Sequence, residues 1–315
     1  MTALVQRQTV AVTTTDGARL HATVEGPDDA PVTLVLAHGW TLAQAAWDDV
    51  AAELADRVAA GGLRLVRYDQ RGHGRSTWGS AEQVSIDLLG EDLAGVLDET
   101  APTGPIVLAG HSMGGMTIMC LAAAHPELFG PRVRGVALVD TSAGDLAPEA
   151  RTRAGKVQQR LTPAVLAVAL ARARFVERLR GFLPPSSPRH RKMVRDLLYG
   201  SDATDVVVLR GAEIMHASSV RSFAAFYPAL GEHDKRTELA ALSRVPVEVL
   251  VGESDKLTPV AHSRQLAEVL PDAVLHVEPR CGHMLPQERP ALVAEALRRL
   301  LAGAVEPAGA PAGRG

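Results

Sequence analysis

The sequence predicts an α/β fold: a mostly parallel eight-stranded sheet flanked by helices and carrying one helical cap insertion. Three observations point there. Short runs rich in Val, Leu and Ile alternate with longer Ala-, Leu- and charge-rich segments along most of the chain. A balance of 46% hydrophobic and 22% charged residues over 315 positions supplies a sizeable core and excludes a disordered or collagen-like chain. A long stretch between Asp140 and Val247 has helical periodicity and stands apart in charge.

The elements follow in order. Residues 8–14 and Arg19–Glu25 read as an antiparallel hairpin, because the Asp16-Gly17 turn between them tolerates positive φ. Residues 32–37 form a continuous apolar run and hence a central strand. A helix over 47–60 and a strand over 63–68 follow. Residues 82–99 have Ile86, Leu89, Leu93, Val96 and Leu97 on one side, the spacing of an amphipathic helix. Strands at 106–109 and Val133–Val139 bracket a helix that begins near Met113. Strands at 247–251 and 273–277 are separated by a helix over 260–270, and 292–301 is a closing helix.

These elements divide the chain into a core over residues 1–140 and 241–302, a cap over 141–240, and a tail. The tail, 303–315, holds 10 Gly, Ala or Pro among 13 residues and is expected to be disordered. The cap reads as helical, with breaks expected at Pro163, Pro184-Pro185, Pro188 and Pro228 and an ambiguous strand-like run at 206–209. Residues 151–195 hold 12 Lys/Arg against the single acid Glu177, leaving 21 against 35 elsewhere.

Composition also excludes classes of function. A net charge of −3 argues against a polyanion binder, so no nucleic-acid partner is expected. Two cysteines, Cys120 and Cys281, cannot frame a disulfide scaffold of this length. No basic-then-apolar leader pattern is present, and no apolar run approaches the ~18–20 residues of a membrane span. A cytoplasmic enzyme is the expectation.

The chemistry concentrates at Gly110-His111-Ser112-Met113-Gly114-Gly115, set between a strand and a helix. A Gly-x-Ser-x-Gly at such a junction is a nucleophile elbow, a strained turn that projects the serine hydroxyl from the sheet edge. Position three is Ser112, so this is not a dinucleotide fingerprint, and no Gly-Lys-Ser/Thr phosphate loop occurs. A neutral hydroxyl needs a general base, and histidine titrates near neutrality. Downstream the candidates are His262 in a helix, His276 in a strand, and His283 in the loop after the last strand.

With His38-Gly39-Trp40, the stretch Asp69-Gln70-Arg71-Gly72-His73-Gly74-Arg75-Ser76, the elbow and the late Asp255/His283 pair, the chain resembles the α/β-hydrolase superfamily, the lid-bearing serine esterases and lipases in particular. That resemblance implies His283 as base and Asp255 as the orienting acid, with Glu253 and Asp140 as alternatives. It also implies an oxyanion hole made by the backbone N–H groups of Met113 and Trp40. The stretch from Asp69 to Ser76 is expected to brace the site, Asp69 pairing with Arg71 or capping local N–H groups. His38 is expected in supporting hydrogen bonds, and Cys120 in the core.

The implied reaction is cleavage of a small-molecule carboxylic ester through an acyl-enzyme, without cofactor or metal. Thioester hydrolysis, acyl transfer, cofactor-free haloperoxidase chemistry and C–C bond hydrolysis stay open on the same scaffold, as does a non-catalytic ligand-binding homologue. Met215, Phe223, Phe226 and Tyr227 are candidates to line the substrate pocket or to hold the cap together. The segment 161–183, with Arg172, Arg174, Arg178 and Arg180, reads as a cap helix, or as a basic surface for peripheral membrane contact.

Overall fold

A computed structural model of the chain describes residues 7–81, 83–146, 172 and 184–305. Eight strands form one sheet: β1 (Arg7–Thr13), β2 (Arg19–Glu25), β3 (Thr33–Ala37), β4 (Arg64–Tyr68), β5 (Ile106–His111), β6 (Val133–Val139), β7 (Val247–Gly252) and β8 (Val274–Glu278). Their spatial order is β1-β2-β4-β3-β5-β6-β7-β8. The hairpin β1–β2 and the β2–β4 pair are antiparallel, and every other pair is parallel.

The described helices are α1 (Asp48–Glu53), α2 (Ala55–Ala59), α3 (Ile86–Thr100), α4 (Met113–Ala124), α5 (Pro188–Leu198), α6 (Asp205–Ala217), α7 (Val220–Glu232), α8 (Val260–Val269), α9 (Leu285–Glu288) and α10 (Pro290–Val305). The central strands are buried on both faces, and successive residues divide between two cores. Val35, Leu108, Val136 and Leu138 face α3 and α4, whereas Leu34, Leu36, Val107 and Val139 face α1 and α10.

Several boundaries differ from expectation for local reasons. The helix expected over 47–60 is split, because fully buried Leu54 leaves the helical region at φ −105°, ψ 2° and separates α1 from α2. Helix α3 starts at Ile86 rather than residue 82, where the Ser85 hydroxyl accepts the Leu88 N–H at 3.0 Å. In the insertion, Pro188 opens α5 behind a Ser187 cap instead of breaking a helix. Pro228 lies inside α7 without ending it. The run 206–209 is helical, the first turn of α6, with the Thr204 hydroxyl capping the Val207 N–H.

At the other end α10 continues to Val305, three residues into the expected tail, because Ala304 still packs into the second core. Residues 306–315 and, apart from Arg172, the arginine-rich segment 161–183 lie outside the described residues. No helix among the described residues is long and apolar enough to cross a membrane.

Candidate active site

Trp40, Ser112, Asp255 and His283 lie in loops at the carboxyl edge of the parallel strands, where open α/β sheets place their ligands. Ser112 joins β5 to α4 at φ 53°, ψ −120°, a backbone region that L-residues rarely adopt. Its N–H donates to Val139 O at 2.9 Å, and its own carbonyl accepts from Thr141 Oγ1 at 2.7 Å. The turn closes only because its flanks lack side chains. A Cβ on Gly110 would lie 2.4 Å from the Gly114 carbonyl carbon, and one on Gly114 would lie 2.2 Å from Ala37 O.

The Ser112 hydroxyl meets His283 Nε2 at 2.9 Å, and His283 Nδ1 meets Asp255 Oδ2 at 2.8 Å. These three side chains come from loops far apart in sequence, and the sheet brings them into one line. Asp255 is further held by the N–H groups of Leu257 and Thr258 on Oδ1, at 2.8 and 3.0 Å, and by the Thr258 hydroxyl on Oδ2 at 2.7 Å.

Charge is distributed to suit a base. Burial opposes ionisation of Asp255, but the His283 charge and these hydrogen bonds bring its carboxyl down to about 2. Burial alone would push the His283 imidazole down. The adjacent Asp255 charge and hydrogen bond outweigh it and hold His283 above the ordinary histidine value, with Asp140 and Glu288 adding to the effect.

The histidine loop is fastened on three sides. His283 N–H donates to Leu198 O at 2.7 Å, and its carbonyl accepts from His111 Nε2 at 2.7 Å. Glu288 takes the Gly282 N–H on one oxygen and the Gly200 N–H on the other, each at 2.8 Å, joining this loop to the insertion. Fully buried Asp140, at φ 46°, accepts the N–H of Gly252 at 3.0 Å and of Leu285 at 2.9 Å. It thus ties the ends of the acid and histidine loops together and makes no hydrogen bond to the His283 ring. Burial, with the nearby Asp255 charge, raises its carboxyl well above the usual range.

On the opposite side, the loop after β3 carries Trp40 between Gly39 and Thr41. Among the described residues the backbone N–H groups of Trp40 and Met113 have no acceptor. His38 donates from Nδ1 to Gly39 O at 2.7 Å and accepts the Gln70 N–H on Nε2 at 2.9 Å. His73 donates from Nδ1 to Arg71 O at 2.9 Å and accepts the Thr41 N–H on Nε2 at 3.2 Å. Asp69 does not pair with Arg71. It accepts the N–H groups of Gln44 and Arg75, while Arg71 binds Asp92 and Asp16.

The remaining candidates scatter. His262 Nδ1 lies 2.9 Å from Ser142 Oγ, and His276 pairs with Glu248 at the sheet's edge. Glu253 accepts the Arg280 N–H at 3.4 Å, away from the ring. Cys120 and Cys281 are buried and unpaired with each other. Trp40, Phe223 and Tyr227 stack together, with ring centroids 4.6 Å apart for Trp40 and Phe223. Met215 is partly buried and packs against the apolar cluster that includes Leu42, Leu198 and Met284. Phe226 is fully buried against His73 and Trp78, so it holds the insertion to the core instead of lining an open pocket.

Sequence reasoning passed over Thr258, Glu288 and Ser222. Only Thr258 carries a local signal, as the hydroxyl residue three positions after an aspartate.

A family model described as alpha/beta hydrolase family matches residues 34–296. A pimeloyl-[acyl-carrier protein] methyl ester esterase of Chromobacterium violaceum is 31% identical over 82% of this chain and 88% of its own. A monoacylglycerol lipase of Mycolicibacterium smegmatis is 28% identical over 83% and 84%. Among solved structures, a thermophilic esterase from Thermogutta terrifontis superposes with a TM-score of 0.71 at 26% identity, covering 96% of this chain and all of that one.

Proposed function

The chain belongs to the alpha/beta hydrolase family, and on that premise we propose that it is a serine hydrolase that cleaves a carboxylic ester through an acyl-enzyme. The observation that carries the reading is the unbroken line Ser112–His283–Asp255, with links of 2.9 and 2.8 Å, standing on a strained elbow.

In this reading Ser112 Oγ attacks the ester carbonyl carbon as its proton passes to His283 Nε2. Asp255 holds the imidazole by Nδ1 and stabilises its protonated form. The Trp40 and Met113 N–H groups receive the oxyanion, each such donor being worth about 10²–10³ in rate. His283 then returns the proton to the departing alkoxide, and an alcohol leaves. Water, deprotonated by the same imidazole, adds to the acyl-enzyme and releases the acid. The insertion is the cap over this site, and an apolar acyl group is the part of a small-molecule substrate that it covers. Esterase-named relatives support the ester over the other bonds that this chemistry can cleave.

Hydrolysis of p-nitrophenyl esters from acetate to palmitate, with Ser112→Ala in parallel, tests the reading. Serine-dependent release of p-nitrophenol is expected, with a chain-length optimum that sizes the pocket. Full activity in the Ser112→Ala protein would refute it.

A further inference from the structure

Ser222 lies in the first turn of α7, in the insertion, and is fully buried. Its hydroxyl donates to the Gly72 carbonyl, and its own carbonyl accepts the Trp40 indole N–H at 3.3 Å. One residue of the insertion therefore grips two separate core loops, the one after β3 and the one after β4. The next residue, Phe223, stacks on the Trp40 indole at 4.6 Å, and Phe226, one turn on, lies 5.2 Å from the His73 ring. His73 in turn accepts the N–H of Thr41, which sits at φ 59° immediately after Trp40.

Trp40 is thus held from both ends. Its indole is pinned to α7, and the peptide after it is pinned by His73, which is itself packed under α7. The direction of a backbone N–H follows from its peptide plane, here Gly39–Trp40. That plane is held at its carbonyl by His38 Nδ1 at 2.7 Å and the Leu42 N–H at 3.2 Å, and at its other end by the Trp40 Cα, which these two anchors fix. A donor to a developing oxyanion is effective only when pre-aimed, since a shift of a fraction of an ångström loses the benefit. The β3 loop's own bonds, to the Gly39 carbonyl and from the Thr41 hydroxyl to the Trp40 carbonyl at 2.6 Å, leave the Trp40 side chain to α7, and Thr41 occupies the left-handed region, where a β-branched residue is strained.

We propose that Ser222 is a positioning residue for the oxyanion hole: by seating α7 on Trp40 and Gly72, it makes the aim of the Trp40 N–H depend on docking of the insertion. The inference rests on the serine-hydrolase reading, and it adds that the insertion builds part of the machinery as well as covering the site. Ser222 itself touches no reacting atom. The Ser219 hydroxyl, which caps α7 and lies 2.7 Å from Ser222 Oγ, keeps the serine in place.

The test compares wild type, Ser222→Ala, Trp40→Phe and the double variant in two assays. One is steady-state hydrolysis of a p-nitrophenyl ester. The other is single-turnover phosphonylation by a p-nitrophenyl alkylphosphonate, in which a Ser112 Oγ–P bond forms, p-nitrophenolate leaves and the serine proton passes to His283. For each single variant kcat and the phosphonylation rate are expected to fall together by about 10–100-fold, below the loss of a whole donor. KM should stay within about threefold, because the ground-state carbonyl gains little from the hole.

The double variant should fall no further than the worse single, as expected for two contacts that serve one seat. Trp40→Phe, which leaves the Ser222 hydroxyl bond intact, covers the case in which Ser222→Ala does not fold. A raised KM with unchanged kcat and phosphonylation would make α7 a pocket wall only and overturn the inference, while Ser112-dependent turnover in wild type left the hydrolase reading standing. Absence of both turnover and Ser112 phosphonylation in wild type would remove the two together.

Discussion

His283 and His73 are both almost wholly enclosed, at 3% and 1% exposure, and both sit at the carboxyl edge of the sheet. The loops around them have opposite electrostatics. On the side built after β7 and β8, Asp255 faces the ring, and its charge outweighs burial and lifts His283. On the side built after β3 and β4, burial dominates and the neighbouring His38 adds to it, so His73 is depressed to about 3 and stays neutral throughout the working range. The carboxylate of that loop, Asp69, is occupied by the backbone N–H groups of Gln44 and Arg75. The same side chain is thus poised to carry a proton on one side and serves as a fixed hydrogen-bond pivot on the other. A carboxylate within hydrogen-bond reach makes the difference.

The comparison can be broken or sharpened experimentally, beginning with the largest effect. Ser112→Ala should reduce kcat by about 10⁵–10⁶, because the proton-carrying side then has no hydroxyl to activate. Asp255→Asn should cost about 10⁴.

That variant should also shift the pH profile. In wild type the Asp255 charge raises His283 above the ordinary histidine value, so its free base is lost as pH falls, and the acid limb of kcat/KM is expected above that value. Without the Asp255 charge burial dominates, as it does at His73, and the limb should move to lower pH. A limb that stayed in place would mean that His283 is not the group titrating.

His73→Ala should lower kcat by about 10–100-fold through loss of the Thr41 anchor. It should leave the acid limb unmoved, because His73 is already neutral across that range. A moved limb would erase the contrast between the two histidines. The smallest effect is expected from thiol alkylation. Burial pushes the Cys281 thiol up to about 12, so iodoacetamide at pH 8 should leave activity intact although Cys281 stands two residues from His283.

Much of this was legible before any coordinates. The elbow could be read because a left-handed serine between glycines has a local cause, the close packing of β5 against α4. The strands could be read because a sheet buried on both faces demands unbroken apolar runs. The insertion was less legible: Pro188 and Pro228 suggested breaks, but the first opens α5 and the second is tolerated within α7. Proline's effect depends on where in the helix it falls, and that position was not visible in the periodicity.

By itself, then, the sequence determined the alternation of strands and helices, the elbow and the nature of the polar residues downstream of it, because each follows from neighbours close along the chain. Only the tertiary structure decided that His283 meets Ser112, that Asp140 and Glu288 fasten the histidine loop, and that Ser222 reaches both Gly72 and Trp40. Apart from Glu288 with Gly282, those contacts join residues from 88 to 182 positions apart, and the aim of a hydrogen bond across such a gap is set by how the sheet and helices pack, not by any pattern along the chain.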